Sequence, residues 1–163
     1  MCNMGMRWNL VFSFGLLLMM IGCDSRYPSG NDPKKVLTQY ISESFSVKKP
    51  EDRNILLNYM IGSVKTRLSA WSDDQFREAF LDAKREFLKL SFREIKNVSP
   101  AEVQITYELV YLDKGQSREG KSYRAKVTNR KLCQMVLSQG KWYIEDVRNI
   151  KELLEFDNEL SLP

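Results

Sequence analysis

"EVQITYELVY", residues 102–111, decides the fold. Val103, Ile105, Tyr107, Leu109 and Tyr111 recur at every second position. Successive side chains of a strand point to opposite faces, so this period of two reads as a β-strand with one face buried. Moving outward, Leu90–Ile95 reads as a preceding strand, and "DKGQSREGK" (113–121) as a loop. Tyr123, Ala125 and Val127, then Cys133, Met135 and Leu137, keep one parity along a strand expected to bend near Thr128-Asn129. Ser138-Gln139-Gly140-Lys141 is a turn, and Trp142–Val147 is the last strand. Beyond it, Ile150, Leu153 and Leu154 share a helical face within Asn149–Leu160.

Ahead of the strands the period is helical. Asp32-Pro33 is a cap residue followed by proline at the first helical position. Val36, Leu37, Tyr40, Ile41 and Phe45 follow at helical spacing. Pro50 restarts the pattern, with Ile55, Leu56, Tyr59 and Met60 in a short helix before Gly62. "VKTRLSAW" (64–71) reads equally as a turn of helix or a short extended piece. Ser72–Gln75 is a capping box, and Phe76, Ala79, Phe80, Ala83 and Phe87 line one face of a third helix. The expected class is α+β: three N-terminal helices packed on one face of an antiparallel sheet of about four strands.

The start of the chain is an address. Met1–Asn9 carry one charged side chain, Arg7, and Leu10–Ile21 carry none. That apolar run is about 12 residues, short of the roughly 20 a spanning helix needs. A charged start, a short apolar run and a small residue make a secretory signal peptide. Met1, Met4 and Met6 could each begin it. Met20-Ile21-Gly22-Cys23 resembles the lipobox of bacterial lipoproteins, with Met where Leu is commoner. The alternative is an ordinary signal peptide beside a coincidental cysteine. The resemblance implies a diacylglyceryl group on the Cys23 thiol, cleavage after Gly22 and acylation of the new amino terminus. Several acyl chains anchor a protein firmly, at about 0.8 kcal/mol per buried CH₂. Asp24 resembles the residue that holds enteric-type lipoproteins in the inner membrane, facing the periplasm; the outer membrane is the alternative. Residues 24–32, broken by Pro28 and Gly30, form a tether of about 15–18 Å. The expected organisation is 1–22 signal peptide, 23–32 lipidated tether and 33–163 a single domain.

Composition narrows the chemistry. Removing residues 1–22 lowers the formal net charge from +4 to +3, too balanced to argue for nucleic acid. Of the three cysteines only Cys133 would remain as a thiol, so no intramolecular disulfide is available. Cys133 lies on the apolar parity and reads as a buried, inert thiol. With no histidine, nucleophile systems with an imidazole base and the usual catalytic zinc sites are unavailable. No glycine-rich phosphate loop occurs either, and no cofactor or metal is expected.

"GKWYIEDV", residues 140–147, with a long strand before it and helices upstream, resembles the NTF2-like superfamily, in particular its small bacterial envelope lipoproteins. The likeness runs from about Pro33 to Val147. It implies a cone: a curved sheet wrapped around a helix, often with a pocket at the open end. A fold of this kind does not fix a function.

In such a cone the inward parity supplies the lining: Tyr107, Leu109, Tyr111, Met135 and Trp142. Aromatic walls with a few hydroxyls suit a small apolar ligand; the alternative is that these residues fill the core. Asp146 shares parity with Trp142, whereas Glu108 and Glu145 point outward. NTF2-like isomerases set a pocket carboxylate opposite a tyrosine, which would make Asp146 the base of an isomerase or dehydratase. Arg124, Lys126 and Arg130 share the outward parity as a basic face that could meet anionic headgroups, each charge contributing about 1 kcal/mol. The alternative is a solvated face balanced by nearby acids. The leading expectation is therefore a non-enzymatic, lipid-anchored interaction module. Its partners would be the membrane, an envelope protein or a second copy paired through the sheet near outward Tyr143. The second expectation is a carrier or sensor for a small apolar ligand, and the third is the enzyme.

Overall fold

The computed structural model describes residues 32–118 and 121–156. The signal peptide, Cys23 and most of the tether lie outside them. Helix α1 (Pro33–Ser46) begins where Asp32 Oδ1 accepts a hydrogen bond from the Lys34 amide at 2.9 Å, with Pro33 in the first turn. It buries Val36, Leu37 and Ile41. A 3₁₀ turn (Pro50–Asp52) leads into α2 (Arg53–Leu57), which buries Leu56. The ambiguous stretch 64–71 is mostly helical, since α3 spans Gly62–Ser69. Gly62 opens it at φ +61°, a left-handed conformation that glycine adopts without a Cβ penalty.

The third expected helix is shorter than its apolar pattern implies. The capping box forms: the Gln75 amide donates to Ser72 Oγ at 3.1 Å, and the Ser72 amide to Gln75 Oε1 at 2.9 Å. Helix α4 covers only Asp73–Phe76, and Arg77–Leu81 widen into a π-helical turn closed by the Asp82 amide on the Arg77 carbonyl at 2.9 Å. Phe87, expected on this helix, lies in strand β1 (Arg85–Ser99) opposite Tyr111. Strand β2 (Glu102–Arg118) runs on to Asp113 and beyond, so its backbone groups need partners, and Arg85, Glu86 and Phe87 supply them. The described residues thus hold four α-helices where the sequence pattern implied three.

Strands β3 (Lys121–Ser138) and β4 (Lys141–Phe156) complete a four-stranded antiparallel sheet of order β1-β2-β3-β4. Two expectations are corrected here. The expected loop at 113–121 is largely strand, with Gln116–Arg118 pairing with Lys121–Tyr123. The expected tail helix is strand as far as Phe156, because the start of β3, Ala125–Arg130, pairs with Lys151–Phe156; residues 157–160 lie outside the described part. The β3–β4 turn behaves as read, with Gln139 (φ 49°) and Gly140 (φ 76°) both left-handed, as a two-residue hairpin requires.

Both outer strands carry bulges. Leu88, Arg93 and Val98 are the extra residues on β1, and Glu145 and Ile150 on β4, in each case five residues apart. Bulges bend a strand and strengthen its twist, so repeated insertions along both outer strands curl the sheet around the helices. The free edge of β4 at Ile144 is covered: the Ile61 amide donates to the Ile144 carbonyl at 3.0 Å, and the Ile144 amide to Tyr59 at 2.8 Å. Inward residues Val103, Ile105, Cys133, Met135 and Ile144 pack with Leu37, Leu56 and Phe76 in one core.

Candidate functional site: a cationic aromatic cavity

Between α1, the segment from Trp71 to Arg85 and the inward face of the sheet lies a cavity of about 790 Å³. This is within the usual range for small-molecule sites. Three side chains of one β2 parity, Tyr107, Leu109 and Tyr111, form one wall, as the alternation requires. Tyr40, Ser44 and Phe45 of α1 form the opposite wall, because a helix repeats its face every three or four residues. Phe80 and Trp71 close a side, their rings 6.3 Å apart. Phe45 meets the Tyr111 ring edge-on at 5.9 Å and the Phe87 ring at 5.6 Å.

The polar groups come from the sheet and the β1 approach. Lys131 stands opposite Tyr107 on one side and Asn149 on the other, and both Lys131 and Asn149 line the cavity. Burial lowers the Lys131 ammonium's pKa; nearby Arg85 lowers it further, while Glu152 opposes the shift. Arg85 lies over the Tyr111 ring at 5.6 Å, a cation–π contact. Tyr107 is 2 % exposed, and burial pushes its phenol's pKa far above the usual tyrosine value; that of Tyr40 rises to about 12 for the same reason. Both hydroxyls therefore stay protonated near neutral pH and serve as hydrogen-bond donors. The Asn129 amide donates to Tyr111 Oη at 3.3 Å, which holds that ring in place.

The other expected lining residues are elsewhere. Met135 is fully buried in the core, and Trp142 packs against the core beside the β3–β4 turn, opposite Leu137. Asp146 does not line the cavity. The bulge at Glu145 breaks the parity, so Val147 pairs with Cys133 and Asp146 with Gln134. The Asp146 carboxylate is ion-paired with Arg148 at 2.8 Å and Arg67 at 3.5 Å. Among the described residues no carboxylate lines the cavity, so a base at Asp146 has no access to it. Lys131 was missed although its parity is legible: it shares the inward row of Val127, Cys133 and Met135. A lysine on an apolar row was the available signal.

The basic face is on the outward side but largely paired. Arg130 contacts Glu108 at 3.4 Å, Arg93 contacts the same carboxylate at 2.7 Å, and Lys126 contacts Glu155 at 3.0 Å. The guanidinium groups of Arg93 and Arg130 hold the Glu108 carboxyl below its usual pKa. Arg124 is exposed. Cys133 is fully buried, and burial raises its thiol to about 12. Outward Tyr143 is half-buried. Among the described residues no helix is long and apolar enough to cross a membrane.

No family model matches the chain, and no curated protein matches it. Among solved structures it is similar to a SEC-C motif containing protein from Rhodopseudomonas palustris, determined in solution. That likeness has a TM-score of 0.52 at 11% identity and covers 73% of this chain and 79% of the other. A weaker likeness is to the VirB8 protein of Agrobacterium tumefaciens, with a TM-score of 0.36 at 12% identity over 72% of this chain and 91% of that one. The first likeness concerns the fold alone.

Proposed function

We propose that this chain is a lipid-anchored bacterial envelope protein whose NTF2-like domain binds a small, largely apolar molecule. The observation that carries the reading is the cavity of about 790 Å³, walled by Tyr40, Phe45, Tyr107 and Tyr111. A domain whose aromatic rows merely filled a core would close this space, because cores pack to crystal-like density. The NTF2-like assignment is supported by helices followed by a bulged antiparallel sheet with a cavity between the two. Anchoring rests on the lipobox resemblance at Cys23, and the inner membrane on Asp24. The domain acts as a carrier or sensor rather than an enzyme.

A second reading, the interaction module, is favoured by Ile150, Leu153, Leu154 and Phe156, which leave apolar surface exposed along β4. A second copy or an envelope protein would cover it. Native mass spectrometry of the full-length protein, extracted gently from its host membranes, tests both. Loss of residues 1–22 with added acyl mass, together with a retained small-molecule mass, is the expected result. An unprocessed chain overturns the anchor. A ligand-free dimer or hetero-complex replaces the carrier with the interaction module.

A further inference from the structure

We infer that the cavity takes an organic acid: an aromatic or acyl body between the tyrosine walls, with its anionic head at Lys131 and Arg85. The inference rests on the cavity being a ligand site and deepens that reading. Three cationic side chains, Lys84, Arg85 and Lys131, line the space, and among the described residues no carboxylate does. None of the ion pairs among the described residues includes any of the three. This contrasts with the outer face, where Lys126 and Arg130 are matched to Glu155 and Glu108. Glu152 is the acid that bears on Lys131, and it lies outside the lining.

Position separates body from head. Lys131 stands beside Tyr107, whose hydroxyl is a donor, and Asn149 flanks it on β4, so donors converge at one wall. The lining also offers apolar side chains for a ligand's body, among them Ile41, Phe45 and Phe80. A lysine in an apolar row loses hydration that an incoming carboxylate restores by a charge-assisted bond. A neutral ligand would leave it with Glu152 alone to oppose its charge.

The test compares naphthalene-2-acetate with 2-(2-naphthyl)ethanol, which share a ring body and differ in the head. Binding to the full-length chain in zwitterionic nanodiscs is followed by titration calorimetry, with empty nanodiscs as reference. The acid should bind at least tenfold more tightly than the alcohol. Lys131→Met should remove that preference while retaining alcohol binding, and Lys131→Arg should keep most of it. Equal affinity for acid and alcohol in the wild-type chain overturns the inference and leaves the cavity as a neutral-ligand site. Binding of neither overturns the cavity reading itself. The acid–alcohol comparison needs no variant, so a misfolded Lys131→Met cannot obscure the outcome.

Discussion

Lys131 and Tyr107 stand opposite one another on β3 and β2, and both open on the same cavity. A lysine in this row is expensive for the fold, since its neighbours in the row, Asn129 and Cys133, are buried. Lys131→Met keeps the length of the side chain and removes the desolvated charge. Single stabilising substitutions commonly contribute about 0.5–2 kcal/mol. We expect a gain near the lower end, about 0.5–1 kcal/mol at pH 7, because the side chain is only half-buried. The sign with pH follows from the depressed pKa. Below its folded value the lysine is charged in both states and the penalty is complete. As pH rises towards the unfolded value of 10.5 the penalty disappears. The variant's advantage should therefore shrink with pH, as read from urea denaturation of both proteins. An advantage that does not change with pH would place Lys131 in water.

Cys133 and Tyr40 give the opposite slope. Folding raises Cys133 from 9.0 to about 12 and Tyr40 from 10.0 to about 12, in both cases chiefly by burial. Below 9 both groups are protonated in both states and contribute no slope. Above it the unfolded chain loses protons that the folded chain keeps, so stability falls as pH rises towards 12. Each such group contributes up to about 1.4 kcal/mol per pH unit within its window. Cys133→Ala should lower stability at pH 7 by opening a small cavity, yet flatten the decline above pH 9. Denaturant midpoints at pH 8, 9.5 and 10.5 measure it. An unchanged slope would mean that the thiol is reached by water.

Gly62 connects the Ile144-paired segment to α3 with a left-handed backbone. Space is not the obstacle to a side chain, because an added Cβ would lie 3.8 Å from Glu145 Cγ, ordinary contact distance. The cost of Gly62→Ala is conformational, about 1 kcal/mol. It should appear as a lower denaturant midpoint with unchanged ligand affinity. A stabilising result would show that the α3 start relaxes to a right-handed conformation.

How legible the fold was depended on how regular each strand is. The β2 alternation could be read directly because its register with β3 runs unbroken from Glu102 to Asp113. The β4 tail could not, because the extra residues Glu145 and Ile150 interrupt its parity twice. After Ile150 the apolar residues Leu153 and Leu154 fall at spacings that imitate a helix. The same interruption misplaced Asp146, which an unbroken count sets beside Trp142. The cavity was half legible. Its β2 wall follows from alternation, whereas Phe80 and Arg85 reach it through a π-helical turn and a shortened helix that local pattern does not announce, and Trp71 from the turn after α3. Pairing with β2, not helical propensity, set where that helix ends.

The bulge at Glu145 provides a sharp test of the register. Glu145→Ala removes one hydrogen bond, in which Gln134 Nε2 donates to Glu145 Oε2 at 3.0 Å, and leaves the backbone count unchanged. Gln134 keeps its second acceptor, Glu102 at 3.1 Å, so the cost should stay near 0.5–1 kcal/mol. Deleting Glu145 removes the extra residue itself. With Ile144 held against Met135 by the Tyr59–Ile61 segment, strict alternation then sets Asp146 outward and keeps Val147 and Asn149 in the inward row, each opposite the same β3 partner. What is lost is the local bend and twist that the bulge supplies. The expected outcome is a chain that still unfolds cooperatively, at a cost of about 1–3 kcal/mol. Circular dichroism melts of the two variants measure it. Loss of cooperative unfolding on deletion would show that β4 cannot hold its register without the bulge.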